Sequence, residues 1–200
     1  MKNNIQTVLF LCLGLISFLG CGKKLPNNET DKNEFLSISP EMLISFAGKN
    51  WNDISSQFVY KKDYLYTTPT NPSGTRAVIS VSARDLNAPA LNYKVTINLD
   101  LQNIVSIVHL DCTDTLDIKT GNKVFLYYYD HAFSKMENIY YKWATYNYEQ
   151  QPPITVEALL DKVRNLTCLQ PVLFFKSTKL EEGASYSEKN HLFTFNVSPL

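Results

Sequence analysis

A strict alternation of apolar and polar side chains between residues 93 and 101 constrains the fold more than any other feature of this sequence. The apolar positions are Tyr93, Val95, Ile97, Leu99 and Leu101, and polar residues occupy every position between them. Since successive side chains of a strand point to opposite faces, this pattern predicts a strand with one buried and one solvated face. A second apolar segment, residues 104–111, follows a short polar turn, which predicts a β-hairpin.

Further strands and helices are predicted on both sides of this hairpin. Strands are expected over residues 58–67, 77–84, 123–129, 171–177 and 191–197. Ser39 and Pro40 begin a predicted helix that Gly48 ends, and Thr155 caps another. A helix is predicted over residues 133–145, because apolar residues recur there three and four positions apart. These residues are Phe133, Met136, Ile139, Tyr140, Trp143 and Ala144. The expected fold class is α+β, with a mainly antiparallel sheet and helices from both ends of the chain packed on it.

The first 20 residues have the three parts of an export signal: an early lysine, an apolar stretch over residues 8–19 and a small residue, Gly20. The stretch is too short to cross a bilayer as a helix. Gly20 and Cys21 resemble the lipobox of bacterial lipoproteins, which implies cleavage before Cys21 and acyl chains on that cysteine. The rival is an ordinary secretory signal, which needs two spaced small residues that are missing near residue 20. Gly22, where Asp would favour retention in the inner membrane, implies transfer to the outer membrane.

The resemblance and the composition together divide the chain into three parts. Residues 1–20 are the predicted signal peptide, and residues 21–34, rich in Lys, Asn, Pro, Glu and Asp, are a predicted flexible tether. Residues 35–200 are predicted to form a single globular domain. The 19 basic and 19 acidic residues balance, so no charge excess favours nucleic acid. No Gly-rich run precedes a Lys-Ser or Lys-Thr pair, so no bound nucleotide is expected.

Two cysteines, Cys112 and Cys168, belong to the predicted domain, because Cys12 leaves with the signal peptide and Cys21 carries the lipid. In an oxidising envelope such a pair is most simply interpreted as one disulfide. The alternative is two buried thiols.

His109 and Asp111 are the best catalytic candidates, since residues two apart on a strand present their side chains on the same face. Asp114 and the Asp130-His131 pair are possible further ligands, and catalytic zinc needs three converging protein groups. The sequence has neither His-Glu-x-x-His nor Gly-x-Ser-x-Gly. The alternative interpretation places His109 and Asp111 at the solvated end of a strand, with no metal or other cofactor.

Aromatic residues are concentrated between residues 127 and 148, where seven tyrosines lie at positions 127–129, 140, 141, 146 and 148. Tyrosine suits interfaces, because its ring is apolar and its hydroxyl forms hydrogen bonds. A helix covering a strand would instead bury many of these rings in the core. The core interpretation is the stronger of the two. If the region is an interface, Tyr128, Tyr141 and Tyr148 are the candidate binding face, because they fall outside the predicted core stripe.

These features favour a non-catalytic binding or inhibitory module, attached to the membrane through Cys21 and facing an envelope or secreted protein. The domain would be periplasmic or surface-exposed. One alternative is a structural or surface lipoprotein without a dedicated partner. The other is a metal-dependent envelope hydrolase that uses His109 and Asp111.

Overall fold

Nine strands form one sheet in the part of the chain that this computed structural model describes, which is residues 34–70, 74–85, 87, 91–146 and 154–200. They are β1 (Leu36–Ile38), β2 (Leu65–Thr67), β3 (Ala77–Asp85), β4 (Asn92–Leu99), β5 (Val105–Cys112), β6 (Ile139–Thr145), β7 (Val172–Ser177), β8 (Leu180–Ser187) and β9 (Leu192–Pro199). The order is β1-β3-β4-β5-β9-β8-β7-β6, with β2 also beside β3. Only β1 and β3 pair in parallel, so the predicted mainly antiparallel sheet is confirmed.

Four α-helices occur among the described residues: α1 (Pro40–Phe46), α2 (Trp51–Ile54), α3 (Ile118–His131) and α4 (Val156–Arg164). Helix α3 packs on β8 and β9, α1 on β5 and α4 on β6. The side chains of Val95, Leu110 and Phe195 lie on this covered face and are fully buried. No described helix is both long and apolar enough to cross a membrane.

The opposite face of the sheet, which we call the open face, carries the alternate side chains, among them Thr96, His109, Ser185 and Asn196. These four side chains are short or medium-sized, polar and at least partly exposed. The alternation seen in the sequence at residues 93–99 therefore separates a helix-covered face from a polar one.

Three segments differ from their predicted secondary structure. The strand predicted over residues 58–67 is confirmed only at its end, as β2, because residues 58–63 form turns in which Tyr60 and Asp63 take positive φ angles. The helix predicted over residues 133–145 is wrong: a short 3-10 turn, Phe133–Lys135, leads into strand β6, which pairs with β7. The strand predicted over residues 123–129 is also wrong, because these residues lie within α3. Asp117 caps this helix by accepting a hydrogen bond from the Thr120 amide at 2.6 Å, and its buried residues face the sheet.

The other elements follow the sequence more closely. The predicted hairpin is the pair β4 and β5, Ser39 caps α1, and Thr155 caps α4. Gly48 lies just beyond α1 with φ of 78°, a conformation that favours glycine. Helices from both ends of the chain are not confirmed: the last three described elements are strands, and the longest described helix, α3, lies in mid-chain.

Cys112 and Cys168 are separate buried thiols, and the predicted disulfide is not seen. The Cys112 Sγ approaches the carbonyl oxygen of Asp114 at 3.8 Å, and Cys112 ends β5. Burial raises the pKa of each thiol to about 11, so both are protonated at neutral pH. Two predicted site residues, Cys21 and Tyr148, and the predicted signal peptide lie outside the described residues.

Candidate functional site

His109 and Asp111 lie together on the open face, as their spacing predicts. Both belong to β5, and the His109 Nε2 atom is 2.9 Å from Asp111 Oδ1. Their side chains are 39% and 33% exposed, so ligands and solvent reach both. In the register of the sheet, His109 lies between Thr96 of β4 and Asn196 of β9.

A hollow of about 320 Å³ opens on this face beside His109. Five strands line it, since β5, β9, β8, β7 and β6 are neighbours in the sheet. We call it the polar hollow, and its lining residues are His109, Trp143, Val172, Leu173, Phe174, Gly183, Ala184, Ser185, Thr194 and Asn196. Its side chains divide into a polar part on β5, β8 and β9 and an aromatic part on β6 and β7.

The polar part depends on Gly183, which faces Asn196 across the β8–β9 pair. A Cβ atom on Gly183 would lie 2.6 Å from Asn196 Oδ1, closer than such atoms approach. The glycine therefore gives the Asn196 amide room to lie across the strand. Beside it, the hydroxyls of Ser185 and Thr194 form a hydrogen bond of 2.9 Å. Together with His109 these groups offer both donors and acceptors to a ligand.

The aromatic part is formed by Trp143 of β6 and Phe174 of β7, and Tyr141 of β6 lies next to it, outside the lining. Trp143 and Phe174 are directly opposite in the register of the two strands. The rings of Tyr141 and Phe174 meet edge to face, with centroids 6.1 Å apart. Tyr141 is 47% exposed, so its ring remains accessible beside the hollow.

Tyr128 does not lie on a binding face, and this prediction is wrong. Its side chain is fully buried under α3, where its ring packs on those of Phe193 and Phe195 at 4.9 and 5.0 Å. The 3.6-residue period of α3 places Tyr128 on the same buried side as Val124 and Phe125. Of the three predicted tyrosines, the structure places Tyr141 beside the hollow.

The other possible metal ligands do not gather around His109. Asp114 accepts hydrogen bonds from the Asn92 backbone and side-chain amides, the former at 2.7 Å. His131 pairs with Glu41 at 3.0 Å. Within the described ranges, no three His, Cys, Asp or Glu side chains form a group that would hold a metal ion. The His109–Asp111 pair thus supplies two of the three protein ligands that catalytic zinc requires.

No motif or spacing in the sequence singles out Ser185, Thr194 and Asn196 as site residues. Strand β8 was not predicted, because Glu181, Glu182 and Gly183 interrupt its apolar alternation. The one usable signal is that Ala184 and Tyr186 occupy alternate positions of β8, with small residues between and beside them. This pattern is typical of a strand with one polar face. No family model, curated protein or solved structure matches this chain.

Proposed function

We propose that this protein is a lipid-anchored envelope protein whose domain is a non-catalytic binding module, and that its ligand is a neutral saccharide chain bound in the polar hollow. The observation that carries this proposal is the pairing of a polar floor with an aromatic wall on the open face. Ligand sites commonly combine an apolar surface with a few convergent polar groups in this way.

The charge of the hollow supports a neutral ligand. Among its described lining residues, none is Lys, Arg, Asp or Glu, and His109 is already hydrogen-bonded to Asp111. A phosphate-rich ligand would require basic side chains to offset its charge. Amide and hydroxyl groups such as those of Asn196 and Ser185 match the donors and acceptors of sugar hydroxyls instead.

The aromatic wall supports a saccharide over a small polar solute. Sugar rings have one or more faces of C–H groups, and these faces pack on aromatic rings by burying apolar area. Tyr141 lies at the accessible end of this wall, while Trp143 and Phe174 lie deeper. A chain of several sugars would contact both the wall and the polar floor at once.

The anchoring part of the proposal rests on the lipobox-like residues at Cys21 and the polar segment that follows it. Two or more acyl chains give a stable attachment to a bilayer. A Cys21→Ser variant of the full-length protein should move from the membrane to the soluble fraction of cells and lose labelling by a fatty-acid analogue. Unchanged labelling and membrane association would remove the lipid anchor from the proposal.

Binding is tested by applying the full-length protein to an array of neutral and acidic oligosaccharides. We expect retention on neutral glycans, and a loss of about tenfold in affinity for Asn196→Ala and for Tyr141→Ala. Lys94→Ala is the control, because Lys94 is exposed on the same face but does not line the hollow. No retention on any glycan, together with capture of an envelope protein that Asn196→Ala abolishes, would replace the saccharide with a protein partner.

A further inference from the structure

A second cavity of about 320 Å³ lies at the helix-covered side of the sheet, away from the polar hollow. Its walls come from α1, the end of α3, the 3-10 turn that follows and the turn between β7 and β8. We call it the Glu182 cavity. Its apolar wall consists of Ile44, Ala132, Met136 and Leu180, and its volume is at the lower end of the range of small-molecule sites, about 300–1,000 Å³.

Glu182 is an unusual residue for this position. The alternation of β8 places its side chain on the covered face, between Phe175 of β7 and Val197 of β9 in the register. It is only 2% exposed, and its Oε2 atom has no hydrogen-bond partner. Burial raises the pKa of this carboxyl from 4.5 to about 7. A buried carboxyl without a partner costs stability, so a fold that retains one needs a compensating use for it.

The cationic side chains that line the cavity do not compensate Glu182. Lys135 Nζ lies 2.9 Å from Glu41 Oε1, and His131 Nδ1 lies 3.0 Å from the same oxygen. Lys179 is exposed in the β7–β8 turn. No described lysine, arginine or histidine forms an ion pair with Glu182.

We propose that the Glu182 cavity binds the ammonium group of a small primary alkylamine, with Glu182 as its counter-ion. An ammonium group has three donors and a positive charge, so it satisfies the free oxygen and offsets the buried negative charge. The alkyl stem lies along Ala132, Met136 and Leu180, which removes apolar area from water. The site is independent of the polar hollow and of the saccharide proposal.

The direct test is calorimetric titration of the full-length protein with butylammonium, and with butanol as its neutral counterpart. We expect butylammonium to bind and butanol to bind about tenfold more weakly or not at all. Glu182→Gln keeps the shape of the side chain and should weaken butylammonium binding by about tenfold. Glu157→Gln is the control, because Glu157 is exposed on α4 and does not line the cavity, and it should change affinity by less than about twofold.

A measurement on the wild-type protein does not depend on how the variant folds. At pH 6.5, titrations in buffers of different ionisation enthalpy should show proton release on binding, since the ammonium favours the ionised form of Glu182. Absence of butylammonium binding, equal binding of butanol, unchanged affinity of a folded Glu182→Gln variant or binding without proton release would each overturn the proposal.

Discussion

Gly121 shows how one residue sets the distance between a helix and the sheet. It lies in the first half of α3, and a Cβ atom on it would overlap the ring of Tyr186 on β8. That ring is buried, and its hydroxyl donates a hydrogen bond of 3.3 Å to the Leu116 carbonyl oxygen. The tyrosine is therefore fixed at both ends, and it cannot move aside for a larger residue on the helix.

We predict that Gly121→Ala lowers the free energy of unfolding by about 1–3 kcal/mol through overpacking. Alanine is the better helix former by up to about 1 kcal/mol, but this gain is smaller than the cost of separating α3 from β8. Urea unfolding would measure the change. Lys123→Ala, an exposed substitution on the same helix, is the control and should change little. Higher stability of Gly121→Ala would contradict the close packing of α3 on Tyr186.

At the scale of single elements, α4 depends on the cap at its start. The Thr155 hydroxyl accepts a hydrogen bond of 3.2 Å from the Ala158 amide, and Thr155 itself is exposed. We predict that Thr155→Ala lowers the free energy of unfolding by about 1 kcal/mol, whereas Thr155→Ser, which keeps the hydroxyl, has a much smaller effect. Thermal unfolding of the two variants side by side would distinguish the cap from other contacts of the side chain.

Elements with strong local signals were predictable, and those decided by distant contacts were not. Helices α1 and α4 have capping residues, and β4 alternates cleanly. Residues 133–145 fit a helical period, yet Asn138 takes a positive φ of 54° and the following residues pair with β7. Strand propensity and long-range pairing outweighed periodicity there. In α3 the opposite occurred, because an Asp117 cap and burial against β8 and β9 outweighed three consecutive tyrosines.

Only the part of the candidate site that lies on a single strand was predictable from the sequence. A period of two places His109 and Asp111 on one face without any knowledge of the fold. The neighbours Asn196 and Ser185 come from strands much later in the chain, and their position depends on the pairing of β5 with β9. Neither the composition nor the residue spacing of these segments predicts that pairing. The hollow is therefore visible only in the structure.

For the described chain as a whole, the pairing of β5 with β9 joins two similar arrangements of strands. Strands β3, β4 and β5 follow one another as antiparallel neighbours, and so do β7, β8 and β9. The last strand of each series lies in the middle of the sheet, where the two pair antiparallel. The polar hollow takes His109 from the first series and the remainder of its floor from the second, so it requires both.

Two carboxyls of the Glu182 cavity give the stability of the whole molecule opposite dependences on pH. Burial raises the pKa of Glu182 to about 7. Burial would also raise that of Glu41, but hydrogen bonds from Lys135 and His131 outweigh it and hold the pKa at about 2. The other charged side chains that line the cavity, Glu137 and Lys179, are exposed.

The direction of each pH dependence is determined by whether the folded or the unfolded state binds the proton more tightly. Between pH 4.5 and 7 the folded state keeps the Glu182 proton that the unfolded chain has lost, so stability falls as the pH rises, by about 3 kcal/mol. Below pH 4.5 the unfolded chain takes up the Glu41 proton first, so stability falls as the pH decreases towards 2. We therefore predict that the combined effect of these two groups makes the free energy of unfolding greatest near pH 4.5. Urea unfolding at a series of pH values would measure it. Glu182→Gln should abolish the fall in stability between pH 4.5 and 7 and leave the fall below pH 4.5 in place. If the fall between pH 4.5 and 7 is unchanged in this variant, another group causes it.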